Sequence, residues 1–265
     1  MFQAKKPQSN LQSSTNTVNI TSYMSKTLCL DFGNTRLKTA LFSNADLKEI
    51  IILDENPLTH LKAIIEKHSP SASILSSVIT HDIQIEELLK SKTQFHKVND
   101  QSKLPFTIPV AKPETVGADR LAIAAASVNL FPNKNNLAIV LGSCITYNFI
   151  NQSHELLGGA ISPGIEMRFK AMHHFTAKLP LVKADWNVPL IGYDTKTNLQ
   201  TGVLFGIAKE IDGMIDAYHE KFGNFNAVLT GGDIAILHPH LKNKIFADPD
   251  LIFKGLYAIS QINHA

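Results

Sequence analysis

Two apolar-rich runs separated by a short glycine turn open the folded part of the chain, and this pattern predicts a strand–turn–strand unit. Thr27 to Phe32 is strand-like, Gly33-Asn34-Thr35 supplies a turn, and Leu37 to Phe42 reads as the second strand. A third apolar run, Ile50 to Leu53, completes a meander. Helical spacing then appears over Leu58 to Lys67, a buried strand over Ser73 to Val78, and a helix over Ile83 to Lys90. A proline-containing loop, Leu104 to Glu114, leads into a helix from Gly117 to about Leu130.

After Pro132 the same plan begins again. Leu137 to Leu141 and Ile145 to Ile150 flank the turn Gly142-Ser143, and His154 to Ile161 supplies a third strand. Helices are expected over Gly164 to His173 and Asn198 to Phe222. Ala227 to Leu229 is a strand ending in Thr230-Gly231-Gly232, and helices close the chain. Asp31-Phe32-Gly33-Asn34-Thr35 lies over Val140-Leu141-Gly142-Ser143-Cys144, with glycine in the same place. The pattern therefore predicts an α/β protein of two βββαβα-type halves, residues 26–131 and 132–265, facing a cleft with one glycine turn from each side. Residues 1–25 are rich in Ser, Thr, Asn and Gln, and are expected to be a disordered extension, or a product of an upstream start with Met24 as the true beginning.

Composition narrows the function classes. The 265 residues are 44% hydrophobic and 18% charged, enough to bury a core. The formal charge of +2 is scattered, with no basic and aromatic run suited to nucleic acid. No apolar stretch approaches the roughly 20 residues that span a bilayer. Two cysteines, Cys29 and Cys144, sit in strand-like runs and point to a reducing, cytoplasmic setting rather than a disulfide framework.

Four patterns carry candidate chemistry. In the first, Gly33 lets backbone amides approach phosphate oxygens, Asn34 and Thr35 add donors, and Lys38 adds a point charge. Asp31, at the strand end, is placed to hold Mg²⁺ directly or through water. The same residues read equally as an ordinary hairpin. In the second, Gly117-Ala118-Asp119-Arg120 opens a helix, where an ionised Asp119 is favoured and Arg120 can grip a carboxylate. In isolation this reads more readily as a helix cap beside a surface arginine. The third, Gly158-Gly159-Ala160-Ile161-Ser162-Pro163-Gly164, permits close backbone approach to a ligand or to another chain segment. The fourth, Thr230-Gly231-Gly232-Asp233, offers bare backbone to an adenosine or forms a plain turn. His173-His174 and His238-Pro239-His240 lack further ligands at zinc-like spacing and read as surface residues. Ser143 and Cys144 lack a partner pattern for a hydrolase nucleophile.

Taken in order, these motifs resemble the type III pantothenate kinase family. The likeness runs from Asp31-Phe32-Gly33-Asn34-Thr35-Arg36-Leu37-Lys38 through Gly117-Ala118-Asp119-Arg120, Gly142-Ser143-Cys144-Ile145-Thr146 and Gly158 to Gly164. It continues through Thr176-Ala177-Lys178-Leu179-Pro180, Gly192-Tyr193-Asp194-Thr195 with Gln200-Thr201-Gly202, and Thr230-Gly231-Gly232. The resemblance implies a duplicated actin-like (ribonuclease H-like) ATPase fold and a homodimer whose substrate site lies at the subunit interface. It implies phosphorylation of pantothenate by ATP to 4′-phosphopantothenate, the first step of coenzyme A synthesis, with Mg²⁺ and a monovalent cation, K⁺ or NH₄⁺.

By the same resemblance, Asp31, Gly33, Asn34, Thr35, Lys38, Gly142, Ser143, Cys144, Gly231 and Gly232 bind ATP. Asp119 is the general base, Gly117 and Arg120 contact pantothenate, and Thr195 reaches the partner's site. Three positions depart from the pattern. Val140 replaces an aspartate associated with the monovalent cation, Asn148 replaces a second aspartate, and Val110 stands where an aromatic commonly lines the substrate pocket. The family's link to proteins named Bvg accessory factors leaves a non-catalytic accessory role as one alternative. Another actin-like small-molecule kinase is the second.

Overall fold

The structure, a computed structural model, describes residues 25–264, so the expectation for the polar leader falls almost entirely outside the described residues. Within them, two five-stranded sheets are built to one plan. In the first, β1 (Lys26–Phe32), β2 (Leu37–Ser43) and β3 (Asp46–Ile52) form an antiparallel meander. β4 (Ala72–Ser77) then pairs parallel with β1, and β5 (Gln94–Lys97) parallel with β4, giving the order β3-β2-β1-β4-β5. In the second, β6 (Asn136–Leu141), β7 (Cys144–Ile150) and β8 (Leu156–Pro163) form the meander. β9 (Asn226–Gly231) and β10 (Phe246–Ala247) complete the order β10-β9-β6-β7-β8. The two orders are the same topology written twice, the duplication that the repeated glycine turns predict.

Helices connect the strands where the apolar period changes from two to 3.6. α1 (Pro57–His68) starts on a proline at its first position, and α2 (Ile83–Lys92) is capped by Asp82, whose side chain accepts from the Gln84 amide. α3 (Ala118–Leu130) is apolar on nearly every face, the signature of a helix buried on all sides. α4 (Ile165–His174) and the 28-residue α5 (Thr195–Phe222) cover the other face of the second sheet. α5 opens on a capping box in which the Asp194 side chain accepts from the Thr197 amide and Thr197 Oγ1 accepts from the Asp194 amide. A short α6 (Ile234–Leu237) leads to α7 (Leu251–Asn263).

Two differences from the sequence reading matter. β3 begins four residues earlier than the apolar run at Ile50, because Asn44 takes the left-handed turn (φ 55°) that lets Asp46 pair with Ser43. More importantly, α7 crosses back to the first half. Its Phe253, Leu256 and Ile259 share one core with Cys29 and Ile74 of the first sheet and with Leu121, Ala122 and Ala125 of α3. Gly255 makes this possible: a Cβ there would lie 1.8 Å from the Ala122 carbonyl oxygen.

Candidate active site

The duplicated topology places each glycine turn at the end of its sheet's first strand. Gly33 follows β1 and Gly142 follows β6, and the two turns touch. Thr35 Oγ1 and Ser143 Oγ share a 2.9 Å hydrogen bond across 108 residues of sequence. Neither glycine is demanded by its own turn: a Cβ at Gly33 or Gly142 would meet only ordinary contacts, at 3.6 and 3.8 Å. Gly232 likewise faces open space. These three glycines are therefore not held by packing, and their bare backbone leaves room for a group to approach closely.

Other glycines in the motifs serve the fold. Gly164 donates its amide to the Ser143 carbonyl (3.0 Å), and a Cβ there would lie 2.0 Å from the Gly142 carbonyl oxygen. A Cβ on Gly159 would lie 1.7 Å from the Tyr147 carbonyl oxygen. The close approach anticipated for Gly158 to Gly164 is thus to another chain segment at these two positions. Gly231 (φ +108°) presses against the Leu141 backbone, holding β9 to β6 beside the second turn.

Charge gathers on one side of this junction. Asp31 lies opposite Lys38 in the β1–β2 register. No hydrogen-bond donor meets the Asp31 carboxylate among the described residues. Burial, and next the nearby Asp119 carboxylate, push the Asp31 pKa up to about 7, while Lys38 works against the rise. That coupling puts Asp119, at the head of α3, in the same field as the first turn. Asp119 Oδ1 accepts from the Arg120 amide (2.8 Å), folded back over the helix start. Gly117 allows this, since a Cβ there would lie 2.6 Å from that same oxygen.

Arg120 is half-buried rather than a surface residue. Its Nε donates to Asn148 Oδ1 at 2.6 Å, and no carboxylate pairs with it among the described residues. Burial lowers its pKa, and Asp119 offsets part of that. Val110 lies against Gly158 on β8, where an added Cβ would come 4.0 Å from Val110 Cγ1. A cleft of about 490 Å³ runs from Lys38 and Arg36 to Gly231 and Gly232, walled by Ile50, Ile52, Ala235 and Phe253. The sequence reading missed this wall. Ile50 and Ile52 are exposed side chains of β3 (37% and 54%), a fact that their place in an apolar run does not reveal.

Thr195 stands apart. It is the first residue of α5, exposed, and borders a separate hollow of about 320 Å³ with Met172, Leu179 and Asn198. His173 and His174 are exposed, in keeping with the surface reading, and no group of three or more metal-binding side chains occurs among the described residues. Cys144 opens β7, and its carbonyl oxygen accepts from the Gly142 amide (3.2 Å), closing the second turn.

Residues 27–217 match the sequence model of the type III pantothenate kinases. A type III pantothenate kinase of Christiangramia forsetii is 42% identical over 238 residues, covering 89% of this chain and 98% of that one. The chain belongs to the type III pantothenate kinase family. The Flavobacterium johnsoniae type III pantothenate kinase is 38% identical over 232 residues, 86% of this chain and 95% of the relative. A Campylobacter jejuni crystal structure, described as a Baf family transcriptional activator, superposes with a TM-score of 0.57 at 22% identity, covering 89% and 98% of the two chains. That likeness concerns the fold alone, an α/β architecture of two sheets with the same strand order.

Proposed function

We propose that the chain transfers the γ-phosphoryl group of ATP to the primary hydroxyl of pantothenate. The observation that carries this reading is the Thr35–Ser143 contact, which joins the two glycine turns beside a carboxylate at a helix head. The triphosphate lies between the turns, its charge met by backbone amides and Lys38, and the nucleoside runs along the cleft toward Gly231 and Gly232. The pantothenate carboxylate pairs with Arg120, whose orientation Asn148 fixes.

The chemistry follows from placement. The substrate hydroxyl oxygen attacks the γ-phosphorus while the bond to the β–γ bridging oxygen breaks, and ADP leaves. The hydroxyl proton passes to Asp119. Positioning and charge neutralisation supply most of the rate.

A divalent cation fits the residues present. Asp31 is a half-buried carboxylate with no hydrogen-bond donor on it among the described residues, and Mg²⁺ is commonly held by one or two carboxylates together with substrate phosphates. When bound, Mg²⁺ would neutralise charge on the phosphate oxygens.

Thr195 borders a separate hollow and is not among the residues that wall its own chain's cleft, which supports a homodimer in which it serves the partner's site. The surrounding surface suits burial. Phe175 (81% exposed), Leu190 (69%), Ile191 (84%) and Tyr193 (80%) all lie within the segment that leads into α5. Such a concentration of exposed large apolar side chains marks an interface. Placing the enzyme in the cytoplasm, with its coenzyme A precursor, belongs to the same reading.

ADP release coupled to a panel of acceptors tests the proposal. Pantothenate should exceed sugars and acetate by orders of magnitude in kcat/KM. A sugar preference would move the chain to another kinase class. Bound nucleotide without phosphopantothenate would make it an accessory factor.

A further inference from the structure

We infer that the phosphoryl-transfer site of this chain has no position for a monovalent cation and that its reaction proceeds without K⁺ or NH₄⁺. The inference rests on the kinase reading and concerns how the same site is charged.

The donor set argues against the ion. Val140, where the family pattern has a carboxylate, is half-buried and packs against the apolar cluster of Ile123, Ala126, Ala138, Val228 and Leu251. β6 is paired on both sides at this point, Val140 lying opposite Thr146 on β7 and Thr230 on β9. Its main-chain groups are therefore committed to the ladders, and its side chain offers no oxygen.

Asn148, the second departure, is wholly buried. Its Nδ2 donates to the Ala138 carbonyl and to Thr146 Oγ1, each at 3.2 Å, which fixes the amide with its oxygen toward Arg120. An oxygen 2.6 Å from a guanidinium nitrogen is a poor ligand for a second cation. Arg120 has no carboxylate hydrogen-bonded to it among the described residues, so a monovalent ion beside it would add like charge next to a half-buried guanidinium. With both carboxylates of the pattern absent, Lys38 and the divalent cation carry the positive charge at the transferred group.

The test is turnover of the full chain with pantothenate and Mg-ATP at constant ionic strength, in KCl, NH₄Cl, NaCl or tetramethylammonium chloride. Rates should agree within about twofold. A rise of tenfold or more in KCl or NH₄Cl overturns the inference. Val140→Asp combined with Asn148→Asp should create a K⁺ response of at least about fivefold, and a folded double variant with none counts against the donor argument. If the wild type fails to turn over pantothenate in all four salts, the kinase reading fails. Thermal unfolding with Mg-ATP then decides the cation question by itself: equal melting in KCl and tetramethylammonium chloride upholds the inference, and a K⁺-specific stabilisation overturns it.

Discussion

Thr35 and Ser143, one from each half of the molecule, share a 2.9 Å hydrogen bond between their hydroxyls. Each follows the glycine of its turn, so the bond ties together the two loops proposed to hold the triphosphate. Replacing either by alanine should raise KM for ATP by about 2–10-fold, the range of a single hydrogen bond. Because the two share one bond, the double variant should lose less than the product of the single losses. Steady-state kinetics of the four proteins checks this, and strict multiplicativity would separate the two turns.

In the proposed mechanism Asp119 and Arg120, both at the head of α3, have separate tasks. Asp119→Asn should lower kcat by about 100-fold or more while leaving ATP affinity nearly unchanged. Arg120→Ala should act on pantothenate instead, raising its KM by roughly 10–100-fold through loss of a charge-assisted pairing. An Asp119→Asn enzyme with full turnover would remove the base from that position.

Asp31 makes nucleotide binding depend on pH. Its pKa in the folded protein is raised to about 7 by burial, with a further push from Asp119. The folded, ligand-free protein therefore holds a proton that the unfolded chain releases near pH 4. The stabilising effect of that proton is present at low pH and is lost as pH rises through about 7. Mg-ATP needs the ionised form, so its affinity should fall by up to about tenfold per unit below pH 7, with a proton released on binding. Calorimetry in buffers of different ionisation enthalpy measures that proton. Asp31→Asn should abolish the release and stabilise the ligand-free protein above pH 7.

The exposed apolar surface before α5 gives a test of assembly. Ile191→Asp combined with Tyr193→Asp should convert a dimer to monomers in sedimentation and lower turnover with it, because Thr195 would no longer reach a partner. A wild-type chain that is monomeric and fully active at assay concentration would rule out the shared site.

Gly255 tests the packing that unites the halves. With the Ala122 carbonyl 1.8 Å from the place of a Cβ, Gly255→Ala must separate α7 from α3. A destabilisation of about 1–3 kcal/mol is expected, the usual cost of overpacking, despite alanine's better helix propensity. The midpoint of urea unfolding reads it directly.

Much of this was legible in the chain because it depends on local period and turn chemistry. The short apolar runs around Cys29 and Ile139 mark strands buried in sheets, and the glycines after Asp31 and Val140 mark where each first strand stops. The repeated order of elements gave the shared topology. Motif order alone pointed to the family. β5, by contrast, is a four-residue polar edge whose pairing depends on β4, so no pattern in Gln94-Phe95-His96-Lys97 announces it.

Contacts between residues far apart in the chain were decided only by folding. A hydrogen bond from Arg120 to Asn148, the return of α7 to the first sheet and the meeting of Thr35 with Ser143 each join positions whose local sequence carries no trace of the other. Sequence fixes which backbone each segment prefers, since that preference is steric and local. Distances and burial across the cleft arise from packing the segments together, and these set the charge on Asp31 and the aim of Arg120.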